Sequence, residues 1–311
     1  GAAGLSRCDG IVSPAYVALR PKPGVHPRYF EYLFKTPAFI CEAGRYSYGI
    51  ADDQNSLRFE DFKTLYSVVP PFEDQRRIAA FLDYETARID QLVHEQLRLK
   101  SLLAEKHQAT IKYAVENGIR HAPDEITRIP FKFVARIKNG RDYKAVEASD
   151  GPYPVIGSGG EFARSSTYLY EGESVLLGRK GTIDKPLYVN GRFWTVDTMF
   201  YTEIVPGNDP KYVYYLSTTL PFDALSTRTA LPSMTQEALG AVTVLVPPLE
   251  EQRQIVASLD AATARVDQLY RQLDRNIALL RERRSALVSA AVTGQLDLCN
   301  WQRPENAEAA E

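Results

Sequence analysis

Two glycines bracket an arginine and a lysine in Gly178-Arg179-Lys180-Gly181-Thr182. Glycine lets a backbone approach another surface closely. Arginine can take a guanine edge bidentately, and lysine suits a phosphate. Lys185 follows nearby, and Arg141, Tyr143 and Lys144 come after the turn-forming pair Asn139-Gly140. Ser158 and Arg164 flank Gly159-Gly160. Arg228, Ser233, Thr235 and Gln236 occupy a polar stretch, and glutamine can read adenine bidentately. Near the start of the chain the candidates are Arg45, Tyr46, Tyr48 and Asn55. Together these loops are candidates for contact with DNA. Taken singly, each residue is equally well explained as a solvated loop charge or a turn former; the Arg179/Lys180 loop is the one that favours contact.

Catalytic patterns are missing. The 178–182 loop lacks the G-x-x-x-x-G-K-[ST] spacing of a phosphate loop, and no G-x-G-x-x-G follows a strand. Cys8, Cys41 and Cys299 are scattered, as are His26, His94, His107 and His121, so neither a disulfide framework nor a metal site is expected. The three readings that compete are a DNA-binding subunit, a coiled-coil scaffold without DNA contact, and a stand-alone enzyme. The lack of clustered His, Asp or Cys argues against the third.

The composition sets further bounds. A chain of 311 residues suggests about two domains. With 44% hydrophobic and 24% charged residues, packed cores are expected rather than disorder. No apolar run approaches the roughly 18 residues of a membrane helix, and no secretory signal pattern opens the chain; the scattered cysteines and histidines fit a reducing, cytoplasmic setting, which is expected. The 37 basic and 39 acidic residues exclude a uniformly basic nucleic-acid binder. Residues 126–246 carry 13 basic and 12 acidic side chains, so any positive face there must come from segregation. The 18 tyrosines are better explained by packing than by base stacking.

An internal repeat positions these loops. Residues 69–92 and 246–269 are identical at 16 of 24 positions, at an offset of 177. Upstream, Pro27–Leu33 resembles Pro210–Leu216. Each repeat opens a long segment free of proline and glycine, preceded by Pro-Pro and begun by acidic residues that suit a helix N-terminus. Apolar residues recur near heptad spacing at Ile78, Leu82, Ile89, Leu92, Leu99 and Leu103, and again at Ile255, Leu259, Val266, Leu269, Leu273, Leu280 and Leu287. Two matched helices in one chain, related by a pseudo-twofold, predict an antiparallel coiled coil.

The segments ahead of the helices read as β-rich, with short β-branched and aromatic runs at 153–156, 174–177, 187–189, 193–196 and 242–246, and a more helical stretch at 211–220. The expected fold is α+β. The expected boundaries are a first β-rich recognition domain at 1–69, a first long helix at 70–120, a second β-rich domain at 121–246, a second long helix at 247–294 and a tail at 295–311. The first domain is much shorter than the second, so it is expected to lack its front half.

The two V-P-P-[FL]-E-[DE]-Q-R-x-I segments, the Tyr153–Gly160 run and Gly178–Thr182 make the chain resemble the specificity subunit of type I restriction-modification systems. The resemblance implies two target-recognition domains, each reading half of a bipartite double-stranded DNA site, with antiparallel spacer helices that dock two methyltransferase subunits and, through them, restriction/translocase subunits. It also implies no catalysis and no cofactor in this chain; S-adenosylmethionine, ATP and magnesium would belong to the partners. Consistently, Val69-Pro70-Pro71-Phe72 lacks the Asn or Asp of the adenine methyltransferase [ND]-P-P-[YF] motif. A shortened subunit could also dimerise and read a symmetric site.

Overall fold

The computed structural model describes residues 3–6, 8–13, 16–47, 57–118, 127–227 and 232–304. The chain divides into two units, Gly1–Ser101 with Tyr270–Glu311, and Leu102–Leu269. Both units draw on two long helices, α4 (Phe72–Asn117) and α8 (Leu249–Val292).

The first unit begins with three short helices, α1 (Pro27–Phe34), α2 (Pro37–Arg45) and α3 (Phe59–Phe62). Proline stands at the start of α1 and α2, where its missing N–H costs nothing. Tyr29, Tyr32 and Leu33 of α1 form a core with Ile78, Ala79 and Leu82 of α4 and with Val288, Ala291 and Val292 of α8. Lys100 Nζ lies 2.6 Å from Asp274, and Arg284 Nε 2.8 Å from Asp90, so α4 and α8 run antiparallel here. Both domains were expected to be β-rich, yet among the described residues ahead of α4 there is no strand. The repeat accounts for most of this: residues 27–69 align with 210–246, which in the second unit hold three short helices and, among the described residues, one strand, Thr243–Val246.

Among the described residues the second unit holds eight strands. β2 (Ala135–Asn139), β3 (Tyr153–Gly157), β4 (Gly160–Ser165), β5 (Tyr170–Gly178), β6 (Leu187–Thr195) and β7 (Met199–Ile204) form one sheet in the order β2-β7-β5-β6-β3-β4. Its pairs are antiparallel except β3 with β6. A separate two-stranded sheet joins β1 (Thr127–Pro130) to β8 (Thr243–Val246). Alternation along β5 sends Val175 and Leu177 into the main core and Leu176 into a second cluster with Ile156, Phe193 and Met199. The main core also takes Phe131, Phe200, Tyr212 and Leu216, together with Ile111 and Val115 of α4 and Ile255 and Leu259 of α8. Tyr212 and Leu216 belong to α5 (Pro210–Ser217), Phe222 of the same core to α6 (Phe222–Leu225) and Leu239 to α7 (Gln236–Ala241). Between β5 and β7 the ladder is short. Buried Ser174 and Thr202 extend it with their hydroxyls: that of Ser174 donates to Thr202 O at 2.7 Å and accepts from Thr202 N at 3.0 Å, and that of Thr202 accepts from Val175 N at 2.8 Å.

The repeat recurs as hydrogen bonds. The Gln75 side chain accepts from His26 N and donates to the Pro70 carbonyl, each at 2.8 Å; Gln252 accepts from Asp209 N and donates to the Pro247 carbonyl at the same distances. Tyr29 donates to the Val68 carbonyl and Tyr212 to the Leu245 carbonyl. Tyr32 donates to Asp83 and Tyr215 to Asp260. The recurring glutamines are thus buried clamps between each long helix and the short helix ahead of it. The heptad reading holds at Ile78, Leu82, Ile89, Ile255, Leu259 and Leu273, which are buried, but not at Leu92, Leu99 and Leu269, which are about half exposed. Leu92 and Leu269 are repeat equivalents, so both copies turn the same position outward.

Candidate nucleic-acid interface

The turn between β6 and β7 organises the candidate surface of the second unit. Its carbonyls collect amides from two other loops. Gly140 N donates to Met199 O and Arg141 N to Thr195 O, both at 2.9 Å. Arg179 N and Lys180 N donate to Thr198 O at 2.8 and 3.2 Å. A fourth segment closes the group: Gly181 N donates to Pro232 O at 3.0 Å, Met234 N donates to Arg179 O at 2.9 Å, and Lys180 bridges Ser233. Four stretches far apart in sequence, 140–141, 179–181, 195–199 and 232–234, therefore share one rim.

Glycine is required for this convergence. A Cβ on Gly140 would stand 2.0 Å from the Val196 carbonyl oxygen, and one on Gly178 would stand 2.2 Å from the Thr182 carbonyl oxygen. Gly181 has φ +82°, a left-handed conformation that side chains disfavour. Trp194 carries no signal of its own within its aromatic run. Its indole donates to the Arg141 carbonyl at 2.9 Å, so a ring largely in the core holds the Arg141 loop by its polar edge.

The candidate cations fall into two groups. Arg141, Lys180 and Lys185 are exposed and Arg179 is partly so; among the described residues none of the four has a carboxylate within 4.0 Å. Arg179 instead donates to the Asp197 carbonyl at 3.3 Å, and its guanidinium lies 5.9 Å from the centre of the Phe200 ring. The second group is already engaged. Lys144 pairs with Glu147 at 3.0 Å and lies over the Tyr143 ring; its pKa is raised, first by the hydrogen bond to Glu147. Tyr143 meets Phe162 edge-on at 5.2 Å. Arg164 pairs with Glu161 at 2.9 Å and also donates to the Gly151 and Pro152 carbonyls, which makes it a brace of the β4 edge. Acidic residues border the rim segments in sequence as well, at Asp142, Asp184 and Asp197.

The remaining candidates lie apart from the rim loops or serve local structure. Ser158 stands in the two-residue turn between Gly157 and Gly160, a register pair of β3 and β4. Gln236 opens α7 behind its N-cap Thr235, whose side chain accepts from Ala238 N. In the first unit, Arg45 ends α2 and pairs with Glu42 at 2.8 Å, and Tyr46 is the C-cap of that helix. Arg228, Tyr48 and Asn55 lie outside the described residues. Among the described residues no group of His, Cys, Asp or Glu is placed to hold a metal, and no helix is long and apolar enough to cross a membrane.

Residues 125–278 match the family model for the type I restriction modification DNA specificity domain. The chain is 26% identical over 206 residues to the type I restriction enzyme EcoBI specificity subunit of Escherichia coli, a stretch covering 58% of this chain and 41% of that protein. It is 24% identical over 109 residues to the EcoprrI specificity subunit of Escherichia coli, covering 35% of this chain and 27% of that one. Each match thus spans less than half the length of the curated relative. Among solved structures, a chain from a study of complex assembly and conformational transition in the type I R-M system is similar at a TM-score of 0.74 and 18% identity, covering 88% of this chain and 72% of that one. The HsdS subunit from Thermoanaerobacter tengcongensis is similar at a TM-score of 0.53 and 19% identity, covering 88% and 71%. At such identities the structural likeness establishes the fold.

Proposed function

Because residues 125–278 match the type I restriction modification DNA specificity domain, we propose that the chain is a specificity subunit of that kind and that the rim built from residues 140–141, 179–181 and 195–199 reads one half of a bipartite double-stranded DNA site. The observation that carries this reading is the convergence of Arg141, Arg179 and Lys180 on one turn, with no carboxylate partner among the described residues. A cation without an internal partner gives up no ion pair when it meets a phosphate or a base edge. Arg179 suits a guanine and Lys180 and Lys185 suit phosphates, whereas Lys144 and Arg164 would first have to leave their glutamates. The long helices would dock two methyltransferase subunits, which would recruit restriction subunits. S-adenosylmethionine, ATP and magnesium would be bound by those partners in a cytoplasmic complex.

The test is genome-wide mapping of N6-methyladenine in cells carrying this gene with its partner subunits, against the same cells with Arg179→Ala/Lys180→Ala. Loss of methylation at a split motif in the variant is expected. An unchanged motif would sink the assignment of the rim, and a palindromic motif would replace the bipartite reading with a dimer on a symmetric site.

A further inference from the structure

The edge strand β4 carries an irregularity beside the rim. Tyr153, Pro154 and Val155 of β3 face Ser165, Arg164 and Ala163 of β4, but Ile156 and Gly157 face Glu161 and Gly160. Phe162 is therefore the extra residue of a β-bulge, with no residue of β3 opposite it. The register at the turn, continued without a shift, would place Phe162 opposite Val155, which is fully buried; the bulge gives that place to Ala163. A bulge on an edge strand re-aims a side chain. Here it leaves a phenylalanine 55% exposed.

The ring is held in this outward position. A Cβ on Gly157 would stand 3.3 Å from it, so the glycine is a floor on which the ring lies. Tyr143 meets it edge-on, at an interplanar angle of 87°. The same neighbours tie it to the rim. Tyr143 is two residues beyond Arg141, whose amide bonds the Thr195 carbonyl, and the Thr195 hydroxyl donates to the Ile156 carbonyl at 2.8 Å. Lys144 lies 4.7 Å from the centre of the Tyr143 ring, and Arg164 is two residues along β4. A protein groove that took the phenyl ring would have to accommodate these cations as well. A polyanion that presents an apolar group among polar edges meets both demands, and the 5-methyl group of thymine in the major groove is such a group.

We infer that Phe162 is a specificity-determining residue that packs against the 5-methyl group of a thymine in the half-site. The inference rests on the DNA reading of the rim and adds what the rim cations do not supply. A methyl group carries no charge, so an apolar contact distinguishes thymine where a lysine or arginine does not.

Two measurements on the full chain with its methyltransferase subunits test this. In cells carrying Phe162→Ala, N6-methyladenine should spread to sites that differ from the original motif at one T·A pair, with the rest of the motif kept. In duplexes, replacing that thymine by deoxyuridine removes only the methyl group and should weaken binding by the unaltered complex on the order of fourfold. The Phe162→Ala complex should bind both duplexes equally. The deoxyuridine comparison leaves the protein unchanged, so its folding is not in question. Methylation that Phe162→Ala leaves unchanged, or abolishes at every site, overturns the proposal. Equal binding of thymine and uracil by the unaltered complex also overturns it, and is what a ring wedged between base steps would give. The two readings fail separately: a motif unchanged in Arg179→Ala/Lys180→Ala sinks the rim, and one unchanged in Phe162→Ala sinks the methyl contact.

Discussion

His107 and Arg284 occupy equivalent positions in the two repeats, and the exchange changes what each helix pair does with pH. Arg284 makes two hydrogen bonds to Asp90, at 2.8 and 3.1 Å. His107 lies 3.3 Å from the Thr263 hydroxyl; burial lowers its pKa, and the charge of Asp267 opposes that shift. A histidine whose folded-state pKa is depressed binds its proton more readily when unfolded. Its contribution to stability is therefore complete above the ordinary value of 6.5 and declines as pH falls below it. The second unit should lose stability between about pH 7 and pH 5 by this route, and His107→Gln should flatten that part of the profile. Denaturant midpoints across the range check it; an unchanged slope would assign the loss to other groups.

At the scale of elements, the repeat shows which start signals are strong. Asp209 caps α5 by accepting from Lys211 N and Tyr212 N at 2.9 and 3.1 Å. At the same position ahead of α1 stands His26, which makes no side-chain cap and whose buried Nδ1 has no partner among the described residues. His26→Asp should therefore stabilise α1 by about 1 kcal/mol, since it supplies a cap and places a negative charge at the helix N-terminus. Slower amide exchange within 27–34 is the expected readout. Such caps, the Pro-Pro starts and the long runs free of proline and glycine are legible in the sequence, and both long helices end within a few residues of where these signals place them. The strand runs of the second domain are also legible, although 187–189 and 193–196 prove to be parts of one strand, β6. The outward turn of Leu92 and Leu269 is not legible, because heptad spacing specifies a stripe but not where a neighbour lies along it.

At the scale of the whole molecule, the proposed DNA reading of the rim implies a property no single loop would have. Three cations on one surface should act together on DNA. The triple variant Arg141→Ala/Arg179→Ala/Lys180→Ala should reduce the slope of log affinity against log salt by roughly 2, about 0.9 for each of the two phosphates left without Arg141 and Lys180. Filter binding or fluorescence anisotropy between about 50 and 200 mM salt would measure it, and a slope equal to that of the unaltered chain would place the phosphate-binding cations elsewhere.

The duplication, the two long helices, their antiparallel pairing and the resemblance to type I specificity subunits were all legible in the sequence alone, because each is written in local signals or in self-similarity. The rim was decided only by tertiary structure. Arg141 and Arg179 are 38 residues apart, and what joins them is a turn whose carbonyls neither segment contains. The division between free and engaged cations likewise has no local signature: Arg164 and Arg179 both lie near glycines, and only folding supplies Glu161, Gly151 and Pro152 to one and a turn carbonyl to the other. Residue type and spacing state what a side chain can bond to, and long-range packing decides which of those partners is within reach.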